Sequence, residues 1–159
     1  MKLYHGSNVI VAAPKILQSK RMLDFGKGFY MTSSFRQASN WAKIKAERAG
    51  VGKALVSVYE VDDNILRQLL ILRFRSADVK WLQLVSAYRQ GKQPVKGYDI
   101  IIGPVANDTT MQVINLYMSG MYSETEALKR LLPQKLTDQY AFKTTKAIGA
   151  LAFSEVREV

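Results

Sequence analysis

The chain has 159 residues, 48% of them apolar, with two Trp, eight Tyr and six Phe, and a formal net charge of +10. That length suits one domain able to bury a core unaided, and the apolar and aromatic content excludes a disordered chain. Cysteine is absent and histidine occurs once, which excludes disulfides and thiolate zinc sites and argues against a bound metal.

The opening MKLYHGSN carries no apolar leader core, and no run approaches the length of a membrane span. A soluble, cytoplasmic protein with no membrane partner is the expectation. The positive charge is spread along the chain in short clusters such as Lys43-Ile-Lys45 and Arg73-Phe-Arg75, with no polybasic tail. It suits an anionic partner, nucleic acid or an acidic protein, or simply a solvated surface.

In chain order, Lys2 to Tyr4 reads as a first strand, followed by an irregular segment through Pro14. Gly28 to Thr32 reads as a strand entered from a glycine turn. Ser34 opens a helix through a capping box with Gln37, and Gly50 stops it. Phe35, Ala38, Trp41, Ala42 and Ala46 recur at helical spacing and predict its buried face. Ala54 to Val61 and Leu70 to Phe74 read as strands. Ser76 is placed to cap a helix carrying Trp81, Val85 and Tyr88 up to Gly91. Tyr98 to Val105 is a nearly continuous apolar run, suited to a central strand. Asp108 or Thr109 opens a helix ending near Gly120, and Ser123 with Glu126 caps another that Pro133 closes. Asp138 to Lys143 and Ala150 to Val156 complete the chain as strands. Strands and helices interleave without regular βαβ alternation, so the expected class is α+β, one domain over residues 1–159.

Two nucleotide motifs fail. A dinucleotide fingerprint beginning at Gly26 needs a third glycine where Met31 stands. A phosphate loop needs Ser or Thr after Gly-Lys, where Phe29 follows Gly28 and Ala54 follows Lys53. Taken singly, the remaining residues have plain readings: a surface or core His5, core aromatics at Tyr30 and Trp41, and a turn at Gly26 and Gly28.

Their order along the chain says more. LYHGS, then FGKGFYMTSSFRQASNWA, then DQYAFKTTKAIGALAF resembles the three-part signature of the ADP-ribosyltransferase fold in its poly(ADP-ribose) polymerase and diphtheria-toxin-like branch. Gly26, Lys27, Gly28, Tyr30, Asn40 and Trp41 fall in register with the middle motif. The chain resembles still more closely the small bacterial DUF3990 family, through LYHGS, DFGKGFY, YDIIIGPVAND and a Gln-led terminal strand. The resemblance implies two packed, mostly antiparallel sheets flanked by helices, and NAD as the substrate. It implies that His5 bonds a hydroxyl of the adenosine ribose, that Gly6 offers its backbone to the nicotinamide carboxamide while Ser7 adds a hydroxyl contact, and that Tyr30 and Trp41 sandwich the ring. Gly26 and Gly28 would let backbone pass close to the ligand, and Arg21 and Lys27 are placed to meet the pyrophosphate or solvent.

The third motif departs from the pattern. Gln139 stands where the polymerases carry glutamate, so it can bond a ribose hydroxyl but cannot act as a base. The implied activity is mono-ADP-ribosyl transfer to a protein or nucleic-acid acceptor, with catalysis resting on His5, Tyr30 and Gln139. An intracellular bacterial toxin held by an acidic antitoxin fits the size and family. The alternatives are an NAD glycohydrolase, a non-catalytic NAD- or ADP-ribose-binding module, or a nucleic-acid-binding domain. Asp108 is a candidate for the missing carboxylate, and glutamate at 139 is expected to preserve or raise cleavage. His5, Tyr30, Trp41 and Gln139 should meet in one cleft.

Overall fold

A computed structural model describes residues 1–19 and 21–159. Seven strands and six helices follow along these residues. Strand β1 (Lys2–Ser7) and β2 (Phe29–Met31) precede helix α1 (Phe35–Ala49), and β3 (Leu55–Val61), α2 (Asp63–Leu66) and β4 (Ile71–Arg73) follow. Then come α3 (Val79–Arg89), β5 (Ile100–Pro104), α4 (Asp108–Met118), α5 (Glu124–Leu131), β6 (Asp138–Phe142), α6 (Thr145–Ile148) and β7 (Leu151–Glu158).

The strands form two sheets, ordered β1-β3-β7 and β2-β6-β5-β4. All pairs are antiparallel except β4 with β5. A single bridge links the sheets: Tyr4 and Thr32 exchange backbone hydrogen bonds of 2.9 and 3.0 Å. The class is α+β, with one domain.

Alternation along each strand sorts residues between two cores. Leu3, Phe29, Met31, Ile100, Ile102, Tyr140 and Phe142 are buried in one cluster that draws on strands of both sheets. The intervening Ile101 and Ala141 belong to another, with Trp81, Leu82 and Val85 of α3, Ile114 of α4 and Leu131 of α5. Helix α1 covers the first sheet through Ala38 and Ala42 against Val56 and Val58. Small residues at this contact bring helix and strand close. An atom added at Gly6 Cβ would lie 2.0 Å from the Ala38 carbonyl oxygen and 2.8 Å from the Ala42 nitrogen.

The helix signals hold, with local corrections. Ser34 Oγ accepts from Gln37 N at 3.2 Å, but the Gln37 side chain does not return to Ser34. Gln37 Oε1 instead accepts from Thr137 Oγ1, and Ser34 N donates to Thr32 Oγ1. Gly50 closes α1 in the left-handed conformation, φ 64°. The cap of α3 is Asp78, not Ser76: its carboxylate accepts from Trp81 N at 2.9 Å. Asn107 caps α4, leaving Asp108 as its first helical residue. Trp41 is only half-buried and belongs to none of the core clusters. No helix among the described residues is long and apolar enough to cross a membrane.

Candidate functional site

Where the sheets meet beside the Tyr4–Thr32 bridge, a cleft of about 300 Å³ opens. His5, Tyr30, Trp41 and Gln139 all line it, drawn from β1, β2, α1 and β6. Cationic side chains of Arg21, Lys45, Arg48 and Arg89 line it too, and its carboxylate is Asp24.

His5 is fixed by its own neighbours. Its Nδ1 lies 2.7 Å from the Tyr30 carbonyl oxygen, and its ring stacks on Phe29 at 4.4 Å. Burial lowers its pKa to about 4, outweighing the Tyr30 hydrogen bond, and Lys45 lowers it further. The imidazole is therefore neutral at physiological pH. Nδ1 must carry the proton to bond a carbonyl, which leaves Nε2 as an acceptor.

Tyr30 is tied down through its hydroxyl, which donates to Gly26 O at 2.6 Å and accepts from Phe25 N at 3.0 Å. Burial raises its pKa first of all, so it stays a neutral phenol. These two bonds fold residues 25–26 back against β2 and so position Asp24.

Gln139 is 3% exposed and Asp24 4%. Gln139 Nε2 donates to Asp24 Oδ2 at 2.7 Å and to Pro104 O at 3.2 Å. Rotating the carboxamide would set its oxygen against both acceptors, so the flip is dictated. Both amide hydrogens are engaged, and Oε1 is the atom left for a ligand. Asp24 is equally committed. Its Oδ1 accepts from Arg89 Nε at 2.9 Å and Nη2 at 2.5 Å, and its Oδ2 also accepts from Ala106 N at 3.1 Å. With Gln139, these donors fill about the four acceptor sites a carboxylate has. Asp24 thus balances Arg89 and orients Gln139, with both its oxygens engaged. Pro104 O is itself held by Trp81 Nε1 at 3.1 Å, which ties the site to the core.

The neighbouring Asp138 faces the other way, as strand alternation requires. Its carboxylate accepts from Ser33 N at 2.8 Å, Thr32 Oγ1 at 3.1 Å and Ser33 Oγ. It fixes the register that delivers Gln139.

Other expected site residues lie elsewhere. Ser7 is buried at the end of β1 and does not line the cleft. Gly28 does not line it either; a Cβ there would stand 3.1 Å from Phe142 O, so this glycine serves the β2–β6 contact. Gly6 lines the cleft, yet the space kept clear by its missing side chain is filled by α1. Gly26 has φ 72° and packs on the Tyr88 ring, away from the cleft. Asp108 is exposed on α4, so the carboxylate beside Gln139 is Asp24 instead. Arg21 lines the cleft, while Lys27 lies in a second cavity. Asp24 opens the DFGKGFY motif, but no local spacing connects it with Arg89 or Gln139. No cluster of metal-binding side chains occurs among the described residues.

The chain is thus a two-sheet α+β protein with an aromatic, cation-rich cleft at the sheet junction. Residues 1–153 match the family described as protein of unknown function (DUF3990), and the chain belongs to that family. No curated protein and no solved structure gives a significant match.

Proposed function

We propose that this protein binds NAD in the cleft and transfers a single ADP-ribose to an acceptor, by the ADP-ribosyltransferase chemistry its motifs resemble. The observation that carries this reading is the joint lining of one cleft by His5, Tyr30, Trp41 and Gln139. Trp41 and Tyr30 offer ring faces to the nicotinamide, Lys45 and Arg48 suit the pyrophosphate, and His5 Nε2 accepts from a ribose hydroxyl.

Heterolysis of the nicotinamide–ribose bond sends its electron pair to the nicotinamide and leaves an oxocarbenium-like ribose. The acceptor's lone pair then forms the new bond and its proton is lost to solvent. Gln139 Oε1 orients the 2′-hydroxyl. Donation of its amide hydrogens to a carboxylate polarises the carboxamide and gives Oε1 more negative character. Asp24 so provides, through Gln139, part of the field a direct glutamate would provide. No base stands at this point, which favours single transfer over chain elongation.

The saturated Asp24 and the uncharged Gln139 also favour a second reading, in which the cleft binds NAD or ADP-ribose without turnover. The family resemblance and the basic surface further support a toxin whose acidic partner covers the cleft. Incubation with labelled NAD, following released nicotinamide and label on protein or nucleic acid separately, tests the proposal. Nicotinamide release with label on an acceptor is the expected result. Release without transfer indicates a glycohydrolase, and binding without release indicates the non-catalytic reading.

A further inference from the structure

Beside the cleft lies a larger cavity of about 460 Å³, and the two share Arg21 and Leu23 as a common wall. Arg21, Lys27, Lys92, Lys96 and Lys143 line this cavity, and among the described residues no carboxylate does. Lys27, Lys92 and Lys96 are exposed and make no ion pair among the described residues.

Its floor is built rather than incidental. Lys143 Nζ donates to the backbone carbonyls of Phe25 and of Lys27, the latter at 2.7 Å, and stands 5.0 Å from the centre of the Tyr88 ring. Burial lowers its pKa to about 8, so it remains mostly cationic at neutral pH. A partly desolvated cation held in one place, with no carboxylate beside it, favours an incoming anion. Through Arg21 the positive lining continues into the cleft, to Lys45 and Arg48.

We propose that this second cavity seats the phosphates of a single-stranded nucleic acid. Its charges line a concavity of about 460 Å³, a shape that suits a thin, linear polyanion better than a folded acidic face or a double helix. Lying next to the cleft, the strand would present the acceptor nucleotide; that role rests on the transferase reading, whereas the binding itself does not.

The test is fluorescence anisotropy of a short labelled single-stranded oligonucleotide in the absence of NAD, across a salt series. Each phosphate contact on a single strand contributes about 0.7 to the log–log salt slope. The triple variant Lys27→Gln, Lys92→Gln, Lys96→Gln should therefore flatten the slope by about 2. The charge-matched triple Lys2→Gln, Lys129→Gln, Lys135→Gln, placed outside the cavity, should leave it unchanged. Equal losses in both triples overturn the proposal, as does complete displacement of the oligonucleotide by NAD. Equal or tighter binding of poly-glutamate or of the duplex also overturns it. A protein that binds the strand but never cleaves NAD refutes the transferase reading and leaves this site standing.

Discussion

The Gln139 carboxamide donates to the buried carboxylate of Asp24 at 2.7 Å, across 115 positions of sequence. This contact gives Gln139→Glu a consequence for stability, apart from the cleavage expected of it. The substitution sets a second carboxylate against Asp24, in a place with no spare donor. We expect it to cost about 3 kcal/mol or more of stability at neutral pH, the scale of a buried uncompensated charge. The new carboxyl has a folded pKa raised above its unfolded value. The variant should therefore be least impaired below about pH 4 and lose stability as pH rises. Asp24→Asn combined with Gln139→Glu restores one donor facing one carboxylate and should regain most of the loss. Denaturant unfolding of the four proteins checks this, and additive losses would count against the pairing.

His5 gives the wild type a pH dependence of its own. Its folded pKa of about 4 lies below the ordinary imidazole value of 6.5, so between these values the unfolded chain binds more protons. Stability therefore rises with pH through that window and is fully present above it. Relative to His5→Gln, the wild type should lose up to about 3 kcal/mol as pH falls from 7 to 4. Parallel thermal unfolding curves across this range measure it; a constant difference would show that His5 titrates normally.

Gly6→Ala should damage the fold before it touches any ligand. Its methyl group cannot coexist with the Ala38 carbonyl unless α1 lifts from β1. Overpacking commonly costs about 1–3 kcal/mol, and a backbone obstacle belongs at the upper end. Circular dichroism melting should show the drop directly.

Trp41 makes the opposite case. It lines the cleft but lies outside the core clusters, so Trp41→Ala should change the melting temperature little. If it stacks on nicotinamide, NAD affinity should fall by about 1 kcal/mol or more, roughly fivefold. Calorimetric titration distinguishes this from a structural role.

For Gln139→Ala, loss of one oriented contact should lower nicotinamide release about a hundred- to a thousandfold. On the proposed reading NAD affinity rests on the aromatic and cationic walls and should change little. Full turnover in this variant would move the catalytic group elsewhere.

Local signals gave the elements their places. Ser34, Asn107 and Ser123 each accept from a backbone N–H at the start of a helix, and Gly50 ends one in the left-handed conformation. The apolar run of β5 was legible as a central strand, but not which core each residue joins: Ile101 enters one, Ile100 and Ile102 the other. Ser76 failed because Asp78 lies nearer the first helical turn and is the stronger acceptor. The short α2 and α6 escaped because a helix of one turn has no periodicity to display.

The site divides along the same line. His5, Tyr30, Trp41 and Gln139 were legible as ordered motifs. Asp24 and Arg89 were not, because their pairing depends on α3 crossing the segment before β2. The role of Gly6 was legible only as a missing side chain; what fills the space is a helix thirty-odd positions away.

Strand β6 is inserted between β2 and β5, although it is made long after both. Until residues 138–142 arrive, the second sheet has a gap at its centre and Asp24 lacks the carboxamide it orients. The cleft thus comes into being only once β6 has followed β2 and β5 from the ribosome, whatever its ligand.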